Sequence, residues 1–187
     1  PVQTHTFLLH ANSAIRSLPV ISLVGDEGNS FYEPRGVMAV VGGSYSGGVW
    51  QSSGAGSYNN FIKRGYEKPV SFEWIEGPEA MQIDCGLRVH GSDYMRPRYT
   101  RSNGFWTGNA KISFRLYFDS QYGPSWLDYP LFPYAVDRFK TLVLRGGHND
   151  RVNPFIKDES IRRLHQDMGQ LASTGTLANL FINGQHK

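Results

Sequence analysis

The chain has 187 residues, 40% of them hydrophobic and 13% aromatic, enough apolar surface for a real core and too much for a disordered segment. Nineteen Lys and Arg against sixteen Asp and Glu leave a net charge of +3. That is too mild, with no dense basic run, to argue for nucleic acid, and no apolar stretch nears the ~18 residues of a membrane span. A single cysteine, Cys85, excludes an intrachain disulfide and a cysteine-cluster metal site.

Taken in chain order, residues 1–17 alternate weakly (Thr4, Thr6, Leu8, His10) and read as a strand arriving from an upstream segment or linker. The opening Pro1-Val2-Gln3 reads as a processed or cut start. Leu18 to Val24 is a β-branched strand closed by Gly25-Asp26-Glu27-Gly28, and Gly36 to Val41 is a short apolar run. Residues 42–66, rich in Gly, Ser, Asn and Tyr, show no periodicity and read as a long loop.

The middle of the chain is β. Val70, Phe72 and Trp74 share one face; Met81, Ile83, Cys85, Leu87 and Val89 alternate with polar residues, as do Ile112, Phe114, Leu116 and Phe118. Sustained period-two alternation predicts half-buried strands. Lys140 to Arg145 is a further strand, ended by Gly146-Gly147. A helix is predicted over 154–168, with Asn153 as its cap, Pro154 in its first position and Gly169 as its stop. Its apolar face carries Ile156, Ile161, Leu164 and Met168. Leu177 to Ile182 is a last strand running into Asn183-Gly184, a hairpin-turn dipeptide. Only three residues follow, so the returning strand reads as missing and the chain as truncated in mid-hairpin.

Two strands carry an unusual polar cargo. Arg88 and His90 project together from one, Lys111 and Arg115 from the other. Antiparallel pairing through residues 91–109 would gather them on one surface suited to phosphate or carboxylate, which Arg binds in bidentate fashion and Lys as a point charge. The connection adds Arg96, Arg98 and Arg101. The alternative is a solvated sheet face under a basic loop. Gly43-Ser44-Tyr45-Ser46-Gly47 has Tyr where a nucleophile elbow needs Ser, and His148 is a lone His, so no metal site is assigned. Asp158 and Glu159, early in the helix, are the nearest candidate carboxylates, placed where they complement the helix dipole.

With those residues in view, the chain resembles the spore coat protein H (CotH) kinase-like family of large exported bacterial proteins. The resemblance rests on Leu18 to Val24, Arg64-Gly65-Tyr66-Glu67-Lys68-Pro69-Val70-Ser71-Phe72-Glu73, Gly86-Leu87-Arg88-Val89-His90-Gly91 and Lys111-Ile112-Ser113-Phe114-Arg115-Leu116-Tyr117-Phe118. It continues through Tyr129-Pro130-Leu131-Phe132-Pro133, Leu142 to Asp150, Leu164-His165-Gln166-Asp167-Met168-Gly169-Gln170 and Asn179 to Gly184. It implies an α+β fold, a mainly antiparallel sheet with one packed helix, like the N-terminal lobe of an atypical protein kinase, over residues 18–187. It further implies ATP- and Mg²⁺-dependent phosphorylation of secreted or surface proteins, with an extracellular location. On this resemblance Arg88 opens the nucleotide-covering loop, Lys111 contacts phosphate, and the helix takes the regulatory helix's place. The metal-binding aspartates belong to a missing C-terminal half, so the fragment alone is expected to be inactive. The competing class is a non-enzymatic extracellular module that binds protein or glycan through residues 42–66 and Tyr94, Tyr99, Phe105 and Trp106.

Overall fold

The computed structural model describes residues 5–9, 12–32, 34–39, 44–46, 49–51, 66–90, 112–133, 136–147 and 156–187. Their secondary structure comprises helix α1 (Ser13–Arg16) and strands β1 (Val20–Val24), β2 (Ser44–Ser46), β3 (Val49–Gln51), β4 (Lys68–Glu76), β5 (Glu79–His90) and β6 (Ser113–Tyr117). Strands β7 (Leu127–Asp128), β8 (Arg138–Phe139) and β9 (Thr141–Leu144), helix α2 (Lys157–Asp167), and strands β10 (Asn179–Ile182) and β11 (Gln185–His186) follow.

Seven of these strands form one sheet in the order β11-β10-β1-β4-β5-β6-β9. All of its pairings are antiparallel except β1 with β10. The fold class is α+β with a mainly antiparallel sheet, as the alternation predicts. Gly77-Pro78 turns β4 into β5, Gly77 at a φ of 59° that suits a residue without a side chain. One face of the sheet is apolar: Ile21, Leu23, Phe72, Trp74, Cys85, Leu87, Val89, Phe114 and Leu116 are buried on it. Each fully buried side chain of this kind contributes roughly 1.5–3 kcal/mol relative to exposure.

This core is closed by irregular chain. A π-helical turn at Glu27–Phe31, capped by the Asp26 carboxylate accepting from Asn29 N–H at 2.7 Å, leads into the buried Val37 and Met38. Gly36 packs so closely there that a Cβ would lie 2.2 Å from the Phe31 carbonyl carbon. Residues 36–39 of the short apolar run are thus buried turn, held by backbone hydrogen bonds to the preceding turn. Phe118, Leu127 and Leu131 close the other end.

Several expectations need correction. The described residues among 5–17 make no strand; Asn12 accepts from Ile15 N–H at 2.9 Å and caps the single turn of α1, a local bond that outcompetes a weak alternation. Inside the presumed loop 42–66, β2 and β3 pair with Ser46 opposite Val49; strands of three residues are too short to show a period.

The Asn183-Gly184 turn forms as expected, with φ of 47° and 79°. Its return is present, however, as β11, with Phe181 opposite His186 and Ile182 opposite Gln185. Two residues suffice because the turn is also tied to β1: Asn183 Nδ2 donates to Gly25 O, and Gly25 N–H donates to Asn183 Oδ1, both at 3.0 Å.

The helix differs most. The expected cap Asn153 and first-position Pro154 lie outside the described residues; α2 as described begins at Lys157, preceded by Ile156 without a side-chain cap bond. At its far end Gly169, at φ 75°, and Gln170 donate to Gln166 O and His165 O, which satisfies the last carbonyls as a glycine stop should. Yet the apolar side of α2 is not packed: none of the helix's residues is fully buried, and Ile156, Ile161, Leu164 and Met168 are 48–65% exposed. The half-buried side is the polar one, where Gln166 Nε2 donates to Thr174 Oγ1 at 2.9 Å. An ion pair links the helix to the sheet, Arg145 Nη1 lying 3.2 Å from Asp158 Oδ2. The apolar side of the sheet is already closed by the turns at 27–39 and 118–131.

Candidate anion-binding face

The polar face of β5 and β6 is built by register. The Gly77-Pro78 turn sets Lys68 opposite Leu87, and the same count places Glu67 across from Arg88. On the other side β5 pairs with β6 so that Arg88 faces Arg115 and His90 faces Ser113, and Arg115 in turn faces Val143 of β9. Arg88, His90 and Arg115, three of the four residues expected to share a surface, are therefore on one face. The fourth, Lys111, lies outside the described residues, as do the loop arginines 96, 98 and 101 and His148.

The two arginines have different surroundings. Arg88 Nη1 donates to Glu67 Oε1 at 3.3 Å, with side chains only 16% and 13% exposed, and its guanidinium lies 5.0 Å from the centre of the Tyr117 ring. The Tyr122 ring covers the neighbouring Gly86, where a Cβ would come within 2.4 Å of it. Burial, reinforced by the charges of Glu67 and Asp119, pushes the Tyr122 hydroxyl above its ordinary pKa, so it stays neutral beside Gly86. Arg88 is thus charge-compensated by Glu67 and placed over the Tyr117 ring. Arg115 is half-buried, and the Nε of each arginine is sequestered from solvent without a hydrogen-bond acceptor. Among the described residues no carboxylate pairs with it.

Facing like charges repel. Two unit charges about 6 Å apart in a medium of effective dielectric ~20 lose roughly 3 kcal/mol, more than the ~0.2–1 kcal/mol typical of exposed cross-strand pairs. Glu67 offsets this for Arg88 and leaves one positive charge over at Arg115. Arg145, beyond Leu144 on β9, extends the cationic row but is engaged with Asp158. Ser113 Oγ accepts from Gly146 N–H at 2.9 Å and fixes the end of that strand.

The carboxylates of α2 are committed. Asp158 Oδ2 accepts from Arg162 at 2.6 Å as well as pairing with Arg145; Glu159 accepts from Arg162 at 2.7 Å and from Arg163 at 2.9 Å. Partial burial works to raise the Glu159 carboxyl, but the hydrogen bonds and charges of Arg162 and Arg163 outweigh it and hold the pKa below its ordinary value. Carboxylates already bonded to guanidinium groups do not fit a Mg²⁺ site, and among the described residues no three His, Cys, Asp or Glu side chains gather as metal ligands. Arg115 does fit a phosphate oxygen. Cys85 is buried in the core and its thiol pushed far up, which rules it out as a nucleophile.

Glu67, Tyr117 and Arg145 are the site residues the sequence reading misses. Glu67 was within reach, since counting outward from the Gly77-Pro78 turn pairs it with Arg88. Arg145 was not, because the β6–β9 pairing spans a connection whose length sets no register.

Comparison of the chain with protein-family models, with curated proteins and with solved structures finds no match.

Proposed function

We propose that the chain is the nucleotide-covering part of a CotH-like atypical protein kinase, and that the complete protein phosphorylates secreted or surface proteins with ATP and Mg²⁺. The observation that carries this reading is the cross-strand register that puts Arg88, His90 and Arg115 on one face, with a positive charge left over at Arg115. Phosphoryl transfer depends on such cations holding the phosphates while metal carboxylates complete the charge balance. This chain's part is to hold and orient phosphate: Arg88, clamped by Glu67 and Tyr117, shapes the face, and Lys111 would add a second phosphate contact. Asp158 tethers α2 to Arg145 and Glu159 braces the helix internally, so on this reading the metal carboxylates come from elsewhere in the complete protein. The test is transfer of γ-phosphate by the complete protein to itself or to a casein-like acceptor. Lys111→Ala is expected to abolish it; undiminished transfer removes Lys111 from the mechanism.

A second reading, an extracellular protein- or glycan-binding module, is favoured by one observation: the exposed apolar row Ile161, Leu164 and Met168 on α2. The segments it first rested on, including Tyr94, Tyr99, Phe105 and Trp106, lie outside the described residues. Calorimetry of ATP–Mg²⁺ against oligosaccharides separates the two readings.

A further inference from the structure

The structure assigns the two facing arginines different roles: Arg115 is the residue that takes an anionic phosphoryl group, and Arg88 is a positioning residue whose charge Glu67 already satisfies. The inference deepens the reading above and shares with it only the premise that a phosphate-bearing ligand meets this face. It follows from three facts. Arg88 and Arg115 are direct partners across β5 and β6. Arg88 is compensated by Glu67 at 3.3 Å and stacked on Tyr117. Arg115 has no carboxylate partner among the described residues, yet keeps part of its surface open; a sequestered Nε without an acceptor is common to both arginines, so it is the ion pair that separates them.

A guanidinium without a carboxylate partner in a half-buried site is a costly group, and the partner that suits the part of it left open is a planar or tetrahedral oxyanion. Arg145 does not compete, since Asp158 holds it. Glu67 sets the limit on what binds. Its carboxylate repels an incoming anion and draws Arg88 away from it, so the site is tuned by that one side chain.

The experiment is titration of metal-free pyrophosphate into the 187-residue chain at low ionic strength, followed calorimetrically and by thermal shift, with metal-free ATP as a second arm. Saturable pyrophosphate binding is expected, weakened about tenfold or more by Arg115→Gln, the loss typical of a charge-assisted hydrogen bond. Glu67→Gln is expected to bind pyrophosphate several-fold more tightly, a gain that a purely structural carboxylate would not produce. Without anion, Arg115→Gln is expected to melt no lower than the parent chain, because a repulsion is removed.

Absence of saturable binding to the parent chain, or unchanged affinity in Arg115→Gln, overturns the assignment. If Arg115→Gln does not fold, Glu67→Gln decides: equal or weaker binding overturns it. ATP binding with the same dependence on Arg115 supports a nucleotide as the source of the phosphate. Pyrophosphate binding without ATP binding supports the anion site and overturns the nucleotide. Loss of γ-phosphate transfer in the complete protein, with anion binding retained, counts against the kinase reading alone.

Discussion

Replacing Glu67 by Gln and Arg88 by Met removes the same ion pair from opposite ends, and the structure predicts unequal costs. The partners lie 3.3 Å apart with side chains 13% and 16% exposed, so solvent screens them little. An attraction between charges ~4 Å apart is worth about 4 kcal/mol at an effective dielectric of ~20. In Glu67→Gln that attraction is lost and the facing guanidiniums of Arg88 and Arg115 stay uncompensated. After recovering the carboxylate's own desolvation, we expect a net loss of about 3 kcal/mol. In Arg88→Met the same attraction is lost, but the roughly 3 kcal/mol repulsion from Arg115 goes with it. Only about 1 kcal/mol remains, including the contact with Tyr117. For a chain of this length these translate into melting-temperature drops of roughly 6–12 °C and 2–4 °C. Urea unfolding with unchanged m-values is the assay, and Arg115→Met is the background in which the asymmetry should vanish. Equal losses, or a larger loss for Arg88→Met, would refute the claim that Arg115 is the uncompensated partner.

Other consequences are as concrete. Phe72 is fully buried and packs its ring 6.3 Å from that of Phe118, so Phe72→Ala should cost about 3–5 kcal/mol in urea unfolding. Asn183 combines a φ of 47° with two reciprocal hydrogen bonds to Gly25. Asn183→Ala should therefore lose about 2 kcal/mol, whereas Asn183→Gly, which keeps the turn, should lose about 1 kcal/mol, read as melting shifts. Glu159 has its folded pKa below the ordinary 4.5, so its ion pairs with Arg162 and Arg163 are fully present above that value and are lost as pH falls through the lower folded one. Amide protection in α2, measured relative to the intrinsic exchange rate at each pH, should fall on acidification below about pH 4.5, with a flatter profile in Glu159→Gln. Gly169→Ala, at φ 75°, should shorten the protected part of α2 at its C-terminal end and cost about 1 kcal/mol.

Much of the sheet was legible because its signals are local. Alternation at 81–89 and 112–118 marks β5 and β6, and the dipeptide Asn183-Gly184 marks where the chain reverses. The Gly77-Pro78 turn, from which the pairing of Glu67 with Arg88 follows by counting, is equally local but is not singled out in the sequence reading. Helix α2 shows the limit of such reasoning. Its glycine stop is local and appears where expected, but its apolar row predicts packing that the sheet does not provide. Turns at 27–39 and 118–131, with no periodic signature, take the place a helix was expected to fill.

The candidate site divides in the same way. Which residue types stand on the polar face of each strand was set by the sequence alone, since side chains alternate along any strand. That Arg88 meets Arg115 rather than Ser113 or Tyr117 was decided only in the tertiary structure, where the β5–β6 register is established across a long connection. The same step paired one guanidinium with Glu67 and left the other without a carboxylate partner among the described residues. Composition could count +3 over the chain, but only the register of β5 and β6 could place one of those charges, uncompensated, at Arg115.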